Sequence, residues 1–436
     1  MSTNVHRRDF LKRSGAALVA LSVPTIVPGT VFGRNGKVLP SEKITMACIG
    51  VGWQGTSNME NFLRESDCQV VAVCDVDENH LQNAKRIVDE TYGNSDCHTY
   101  ADFREVMART DIDTVMLGLP DHWHAVPAIA AARSGKDVFG EKPLSHSLRE
   151  GRAMVDAMNR YGRVWQTGSW QRSQSNFRFG AELVRNGRIG KVHTVEVGLP
   201  SGHNDFAGTF GQDQLEPPPP ELDYEFWLGP APYAPYAVER VHKNWRWHLN
   251  YGGGQLMDWV GHHNDIAHWG LGFDRTGPVE VEGTGEYPED GFRDTATRYW
   301  VECIYANGVK TILAGGYPEI RGGTRWIGEL GWVYVTRGGV IETEPKSLLR
   351  EQFGPNEVHL IESPGHFRNF LDCVKTRQPT ITPCETAHRS ATPGHLGQIS
   401  MLLRRNIKFN PETEEILGDE TASRMLTHAY RAPWTL

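Results

Sequence analysis

What the chain lacks excludes several classes of protein. Its seven cysteines are scattered, odd in number and without a C-x-x-C pair, which argues against a disulfide framework or a zinc knuckle. No long basic run occurs and the formal net charge is −8, so nucleic acid is not an expected partner. Past the N-terminal segment, no apolar run approaches the roughly 20 residues that span a bilayer, so we expect no other membrane contact.

The N-terminal segment is predicted to be an export signal. The motif R-R-x-F-L-K begins at Arg7 and an apolar stretch follows it, which resembles a twin-arginine (Tat) signal. That route carries proteins that are already folded. We therefore assign residues 1–35 to a signal and linker, and expect a periplasmic protein, or a membrane-associated one if the signal is not cleaved.

The remaining length is too great for one ordinary core, so two domains are expected. We place the first domain at 42–168 and the second at 169–436. Apolar runs alternate with helical stretches through the first domain, which predicts the α/β fold class.

A glycine-rich turn carries the strongest prediction. G-x-G-x-x-G follows an apolar run and precedes a helical stretch, which is the strand–turn–helix context of a dinucleotide site. Gly50 permits the tight turn, Gly52 lets the backbone approach a pyrophosphate, and Gly55 lets helix and strand pack closely. The phosphates would lie on the helix N-terminus. The predicted contacts are Gly50, Gly52, Trp53, Gln54 and Gly55.

Asp75 predicts which dinucleotide is bound. It ends the second strand about 20 residues beyond the last glycine, where a carboxylate accepts hydrogen bonds from ribose hydroxyls and repels a 2′-phosphate. No arginine follows it closely, so NAD is favoured over NADP.

Two further strands end in polar motifs, P-D-H-W-H at 120–124 and E-K-P at 141–143. Ligands gather at the carboxyl ends of parallel strands, so both motifs are predicted to border the cofactor. The residues predicted there are Pro120, His122, His124, Glu141 and Lys142.

These two motifs together resemble the Gfo/Idh/MocA family of NAD(P)-dependent oxidoreductases, over nearly all of the chain after the signal. The glycine turn and the strand-end motifs predict a dinucleotide-binding Rossmann domain at 42–168. For 169–436 the resemblance implies an α+β domain for substrate binding and oligomerisation, with an open, mostly antiparallel sheet and a D-x-x-x-H motif after a Gly-rich turn. Here Asp258 and His262 follow three glycines at 252–254. The resemblance also implies a homo-oligomer, a dimer or a tetramer.

The catalytic prediction combines Lys142, Asp258 and His262. Helical spacing would set residues 258, 262, 265 and 269 on one face, so that Asp258 accepts a hydrogen bond from His262 and fixes its tautomer. His262 would then take a hydroxyl proton, and Lys142 would stabilise the developing oxyanion. The family assigns similar roles to these residues. A zinc site at Asp258 and His262 is the alternative, but no third ligand is evident and we predict no metal.

Aromatic faces beside hydrogen-bonding groups suit a sugar or a polyol. Each such residue fits a domain interface as well as a substrate contact. The candidates are Trp170, Gln171, Arg172, His203, Arg246, Trp247 and His263. A Pro-rich stretch at 215–236 is predicted to be an extended loop that closes the site or meets another subunit.

The functional prediction is hydride transfer between nicotinamide and a hydroxyl of a sugar, sugar derivative or cyclitol. Free NAD is expected to be scarce outside the cytoplasm, so an exported enzyme would hold and recycle its cofactor. The alternatives are an NAD-dependent glycoside hydrolase or lyase that oxidises the sugar transiently, and a nucleotide-binding protein without chemistry.

Overall fold

The computed structural model describes residues 38–289 and 291–436, and residues 44–436 form one compact unit. The predicted export signal lies outside the described residues. Among the helices within those ranges, none is both long enough and apolar enough to cross a membrane.

The first half contains a six-stranded parallel sheet. Its central strands are almost fully buried on both faces, as expected for a sheet covered by helices on each side. The spatial order is β3-β2-β1-β4-β5-β6, which confirms the predicted Rossmann fold. The strands are β1 (Ile44–Ile49), β2 (Cys68–Cys74), β3 (His98–Tyr100), β4 (Thr114–Leu117), β5 (Asp137–Gly140) and β6 (Trp165–Thr167).

Five helices connect these strands. Asp77 caps the second of them by accepting hydrogen bonds from the backbone of Asn79 and His80. Ser147 and Glu150 form a reciprocal capping box at the start of the fifth. The helices are α1 (Trp53–Leu63), α2 (Glu78–Tyr92), α3 (Phe103–Ala108), α4 (Ala125–Arg133) and α5 (Leu148–Tyr161).

The second half is built on a nine-stranded sheet in the order β13-β12-β11-β7-β10-β9-β8-β14-β15. Only the β7–β10 pair is parallel among its described strands, so the predicted mostly antiparallel sheet is confirmed. The strands are β7 (Val192–Leu199), β8 (Glu280–Glu286), β9 (Arg298–Ile304), β10 (Lys310–Gly315), β11 (Gly323–Gly328), β12 (Gly331–Thr336), β13 (Val340–Glu344), β14 (Ile407–Asn410) and β15 (Glu415–Ile416).

The helices of the second half are α6 (Ser175–Arg185), α7 (Tyr224–Leu228), α8 (Gly254–Trp259), α9 (Asp265–Leu271), α10 (His366–Thr376), α11 (Cys384–Leu403) and α12 (Glu420–Arg424). Of these, α6, α8, α9 and α11 pack on the nine-stranded sheet, and α11 also contacts α5 and β6 of the first half. Phe370 and Leu371 of α10 pack into the Rossmann core with Phe62 and Phe139. The late helices therefore join the two sheets.

One segment departs from the predicted regular helix. Between α8 and α9 the chain forms a π turn, Val260–Asn264, in which the hydrogen bonds span five residues instead of four. The wider turn changes the angular phase, so residues 258 and 262 do not stand one regular helical turn apart. This affects the predicted partnership of Asp258 and His262.

Candidate active site

A cleft of about 410 Å³ opens at the carboxyl edge of the parallel sheet, between that edge and the second half of the chain. The glycine-rich turn borders it, as do β2, β4 and β5 at their ends, the π turn, and the loop before α8. Ligands of doubly wound sheets bind at this edge, so the cleft is the candidate active site.

The glycine turn is shaped by close backbone contacts. Gly50 has a φ of +75°, and a Cβ there would lie 2.7 Å from the main-chain oxygen of Gly118. A Cβ on Gly55 would lie 1.8 Å from the oxygen of Gly50, so Gly55 lets α1 start directly against the turn. Trp53 and Gln54 begin α1 and line the cleft. A cradle of this shape fits the pyrophosphate of a dinucleotide.

Asp75 stands at the end of β2 and faces the same cleft. Its Oδ2 accepts a hydrogen bond from the backbone of Val51 at 2.8 Å, and its Oδ1 accepts one from Asp77 at 3.0 Å. These bonds hold the carboxylate against the glycine turn and leave lone pairs for ribose hydroxyls. The residues present therefore fit a nicotinamide dinucleotide.

Two histidines lie beside Asp75. The pKa of His80 is raised, chiefly by the Asp75 carboxylate, whose Oδ1 lies 3.9 Å from its Nδ1, whereas burial lowers the pKa of His242. Asp77, His80 and His242 bring one possible metal-ligand atom each within 4.8 Å of one another. The alternative zinc pair, Asp258 and His262, does not belong to such a group among the described residues.

Lys142 and Asp258 meet in the cleft from the two halves of the chain. The Nζ of Lys142 donates to Oδ1 of Asp258 at 2.8 Å and to the main-chain oxygen of the same residue at 2.8 Å. The Nε of Arg246 donates to that same Oδ1 at 3.0 Å. The ammonium has a third N–H, which is available to a ligand in the cleft.

The predicted hydrogen bond between Asp258 and His262 is not formed. Asp258 is held by two cations instead, and Nδ1 of His262 is buried with no hydrogen-bond partner among the described residues. His262 nevertheless lines the cleft, with Trp170 and Trp259 near its ring. The π turn explains the difference, because regular helical spacing does not apply across it.

The π turn lies very close to the residues that follow the ends of the Rossmann strands. Ser169 Oγ donates to the oxygen of Gly261 at 2.6 Å, and a Cβ on Gly261 would lie 3.0 Å from the Cβ of Lys142. Glycine at 261 therefore lets His262 and Lys142 border one cleft.

Electrostatics set the protonation of these groups. Burial alone would raise the pKa of Asp258, but the charges and hydrogen bonds of Lys142 and Arg246 outweigh it and hold the pKa far below its usual range. Burial, followed by the positive charges of Lys142 and Arg337, lowers the pKa of His262 well below its ordinary value. At neutral pH the site therefore contains an ionised carboxylate and a neutral imidazole.

The pKa values of two other carboxyls in the cleft are shifted in the opposite direction to that of Asp258. Burial raises the pKa of Asp121 and of Glu141. Asn58 donates to Glu141 Oε1 at 2.8 Å, and Gly168 leaves space for that carboxyl. Burial therefore disfavours the ionised form of both carboxyls.

Most predicted cofactor and catalytic residues border the cleft, and three do not. Gly55 lies beneath the turn, as described above. His122 is buried and donates from Nε2 to the oxygen of Trp227 at 3.0 Å. The ring nitrogens of His124 contact the oxygens of Pro143 and Leu119 at 2.7 and 2.8 Å, so it joins the loops after β4 and β5. Those that border the cleft are Gly50, Gly52, Trp53, Gln54, Asp75, Pro120, Glu141, Lys142, Asp258 and His262.

Of the predicted substrate contacts, Trp170 and Arg246 border the cleft and five residues do not. Arg172 is buried in ion pairs with Asp265 and Asp274. His203 and Trp247 stack on each other and do not line the cleft. The remaining two form a second layer, in which Gln171 Nε2 donates to Nδ1 of His263 at 3.2 Å.

Sequence reasoning missed several residues of the cleft. Arg337 comes from the β12–β13 turn, T-R-G-G, which carries no signal for a binding site. Asp121 was overlooked between the residues predicted around it. Aromatic residues from the Pro-rich stretch, including Phe226 and Trp227, form part of the wall near Asp75. Their placement agrees with the alternative in which that stretch closes the site.

Residues 44–169 match the model of an oxidoreductase family described as its NAD-binding Rossmann fold, and residues 176–436 match the model of its C-terminal alpha/beta domain. The chain belongs to the Gfo/Idh/MocA oxidoreductase family. Membership agrees with both sheets and with the E-K-P and D-x-x-x-H motifs that border the cleft.

Curated relatives of this Gfo/Idh/MocA chain include glycosidases. A glycosyl hydrolase family 109 protein of Shewanella sp. (strain MR-4) is 31% identical over 176 residues, which are 36% of this chain and 38% of the relative. An alpha-N-acetylgalactosaminidase of Shewanella oneidensis is 29% identical over 214 residues, 43% of this chain and 44% of the relative. These matches span less than half the length of each relative.

Among solved structures, an aldose-aldose oxidoreductase from Caulobacter crescentus, complexed with glycerol, has the same fold. Its TM-score is 0.61 at 20% identity, over 84% of this chain and 100% of that one. At this identity the likeness concerns the fold alone.

Proposed function

We propose that this chain is an NAD-dependent oxidoreductase that transfers a hydride between nicotinamide and a hydroxyl of a sugar, sugar derivative or cyclitol. The observation that carries the proposal is that Lys142 and His262 border one cleft together with the glycine turn and Asp75. A dinucleotide bound there supplies the hydride acceptor.

His262 acts as the base in this proposal. Its lowered pKa keeps the imidazole neutral, as a base that accepts a hydroxyl proton must be. Lys142 donates its remaining N–H to the substrate oxygen and stabilises the negative charge that develops there. Asp258 positions the ammonium through Oδ1 and through its main-chain oxygen.

We propose NAD rather than NADP as the cofactor. Asp75 is held at the end of β2 by two backbone N–H groups, and a 2′-phosphate would meet its carboxylate there. Titration with each dinucleotide, followed by calorimetry, tests this preference.

A second candidate is glycoside hydrolysis through transient oxidation of the sugar. It is favoured by the relatives that are named glycosyl hydrolase family 109 and alpha-N-acetylgalactosaminidase. Lys142 and His262 would serve the same oxidation step, and the hydride would return to the sugar at the end of the cycle.

The test begins with protein purified without added nucleotide. Absorbance and mass spectrometry report whether NAD(H) is retained, and the protein is then incubated with aldoses, inositols and aryl glycosides. Net reduction of bound nicotinamide by a free sugar supports the oxidoreductase. Release of the aryl group without net reduction supports the hydrolase, and a protein that neither binds NAD(H) nor reacts contradicts both.

Two variants connect that test to the site. We expect Lys142→Met and His262→Asn each to lower kcat by roughly 10²-fold or more. Lys310→Met is the control, because Lys310 pairs with Glu302 on the large sheet and lies outside the cleft. Near-normal turnover in either site variant would rule out the assigned roles.

We also propose export through the Tat pathway with the cofactor already bound, and assembly into a dimer or tetramer. The R-R-x-F-L-K motif and the resemblance to the family support these proposals. Cell fractionation and sedimentation analysis test them.

A further inference from the structure

Arg337 is a cation of the cleft that the proposed chemistry does not use. It follows β12 directly and precedes Gly338 and Gly339, whose φ values of +79° and +76° make a tight hairpin turn. The turn brings the arginine to the cleft, where it borders the same space as His262.

Two indoles and one amide hold the guanidinium in place. Its central carbon lies 4.7 Å from the ring centroid of Trp170 and 4.2 Å from that of Trp259. The Nε donates to Oε1 of Gln171 at 3.1 Å. Stacking and this bond orient the guanidinium, because a planar group between rings has few other arrangements.

The two terminal nitrogens of Arg337 have no protein acceptor, and the side chain has no ion pair, within the described residues. Arg246, the neighbouring cleft arginine, differs because it is paired with Asp258. The carboxylate of Asp258 is occupied by Lys142 and Arg246, and it is the strongly ionised acid beside His262. Among the described residues that line the cleft, Arg337 is therefore a cation with no carboxylate in direct contact with it.

We propose that Arg337 forms a subsite for an oxyanion carried by the sugar, which makes an anionic sugar, and first of all a uronate, the preferred substrate class. This rests on the proposed function and deepens it. The two Nη groups form a planar fork that matches the two oxygens of a carboxylate, and phosphate esters present the same pair of acceptors. The oxidised hydroxyl would then lie between Lys142 and His262 while the anion is bound at Arg337.

The experiment compares anionic and neutral sugars on the protein with NAD bound. The probes are glucuronate and galacturonate, glucose 6-phosphate, and the neutral aldoses glucose and galactose. We measure kcat/KM for each, and binding of each by calorimetry, so that affinity is read even where turnover is slow. We expect a uronate to exceed its neutral aldose by roughly 30-fold or more in kcat/KM or in affinity.

Variants test the residue itself. In Arg337→Gln we expect the ratio of anionic to neutral sugar to fall by roughly 30-fold or more, and in Arg337→Lys to fall less, since the charge remains but the fork is lost. Arg321→Gln is the matched control, because Arg321 stacks on Tyr334 at 4.1 Å but pairs with Glu342 outside the cleft. Its ratio should equal that of the native protein.

Each outcome of these measurements supports or contradicts an oxyanion subsite at Arg337. A preference for uronates supports a carboxylate subsite, and a preference for glucose 6-phosphate alone supports an oxyanion subsite for phosphate esters. Neutral sugars that bind and react as well as anionic ones, on protein that holds NAD, overturn the subsite while leaving the oxidoreductase intact. Failure to bind NAD(H) at all would instead contradict the proposed function.

Discussion

At the scale of single residues, the protonation state of His262 follows from its neighbours. The imidazole is buried, faces Lys142 and Arg337, and has no hydrogen bond to Asp258, so the negative charge of Asp258 offsets only part of the loss of water around a charged ring. Its pKa is lowered for that reason. The sequence predicted that Asp258 would fix the tautomer of His262 through a hydrogen bond. In this structure that bond is absent, and burial and the neighbouring cations keep the imidazole neutral instead.

A pH profile tests this account of the base. Because the pKa of His262 lies well below the ordinary value of about 6.5, kcat/KM should stay level as the pH falls through 6.5 and decline only further on the acid side. Arg337→Gln removes one of the cations that lower the pKa, so its acid limb should move to higher pH. A native acid limb at or above pH 6.5 would contradict the assignment.

At the scale of elements, α10 is joined to the Rossmann half by both apolar and ionic contacts. Phe370 and Leu371 enter the core. Arg368 and Lys375 from the same helix donate to the carboxylate of Asp67, which lies just before β2. The partner of the charged face of this helix lies about 300 positions away along the chain, so local spacing in the sequence could not predict the contact.

Asp67→Asn tests this junction. Burial would raise the pKa of Asp67, but its bonds to Arg368 and Lys375 outweigh burial and lower the pKa to about 2. A folded pKa below the unfolded value of about 3.9 stabilises the protein above that pH, and the contribution disappears as the pH falls from about 4 to about 2.

Thermal unfolding measures the effect. We expect Asp67→Asn to lower the Tm by a few degrees at pH 7, with the difference from the native protein shrinking as the pH falls from 4 towards 2. Glu420→Gln, which alters an exposed pair with Arg424, should leave the Tm unchanged. A Tm difference that persists at low pH would show that Asp67 acts through packing instead.

At the scale of the whole molecule, the C-terminal end packs against residues that line the cleft. Trp434 packs against Trp123 and Phe226 with ring centroids 4.8 and 5.3 Å apart, and it also contacts Phe103. Those three partners line the cleft near Asp75. The wall beside the expected ribose is therefore built from three distant parts of the chain.

Trp434→Ala tests whether this wall depends on the C-terminal end. Removing the half-buried indole should cost roughly 1–3 kcal/mol in the free energy of unfolding and weaken NAD binding, since the aromatic wall loses its support. Denaturant unfolding and calorimetry measure the two effects. Trp332→Ala is the control, because Trp332 stacks with Arg325 on the large sheet, outside the cleft. It should lower stability without changing NAD affinity. An equal loss of NAD affinity in both variants would contradict the claim that Trp434 supports the aromatic wall of the cleft.

The amino-acid sequence alone was enough to predict the glycine turn, the position of Asp75 and the two strand-end motifs. These features are local, because a turn with positive φ and the alternation of strand and helix depend on residues within a few positions of one another. The packing of the folded chain was needed to show that Lys142 and Arg246 share Asp258, that a π turn contains His262, and that Arg337 borders the cleft. Such contacts join residues far apart in the chain, and their distances depend on how the two sheets pack, which no spacing along the sequence records.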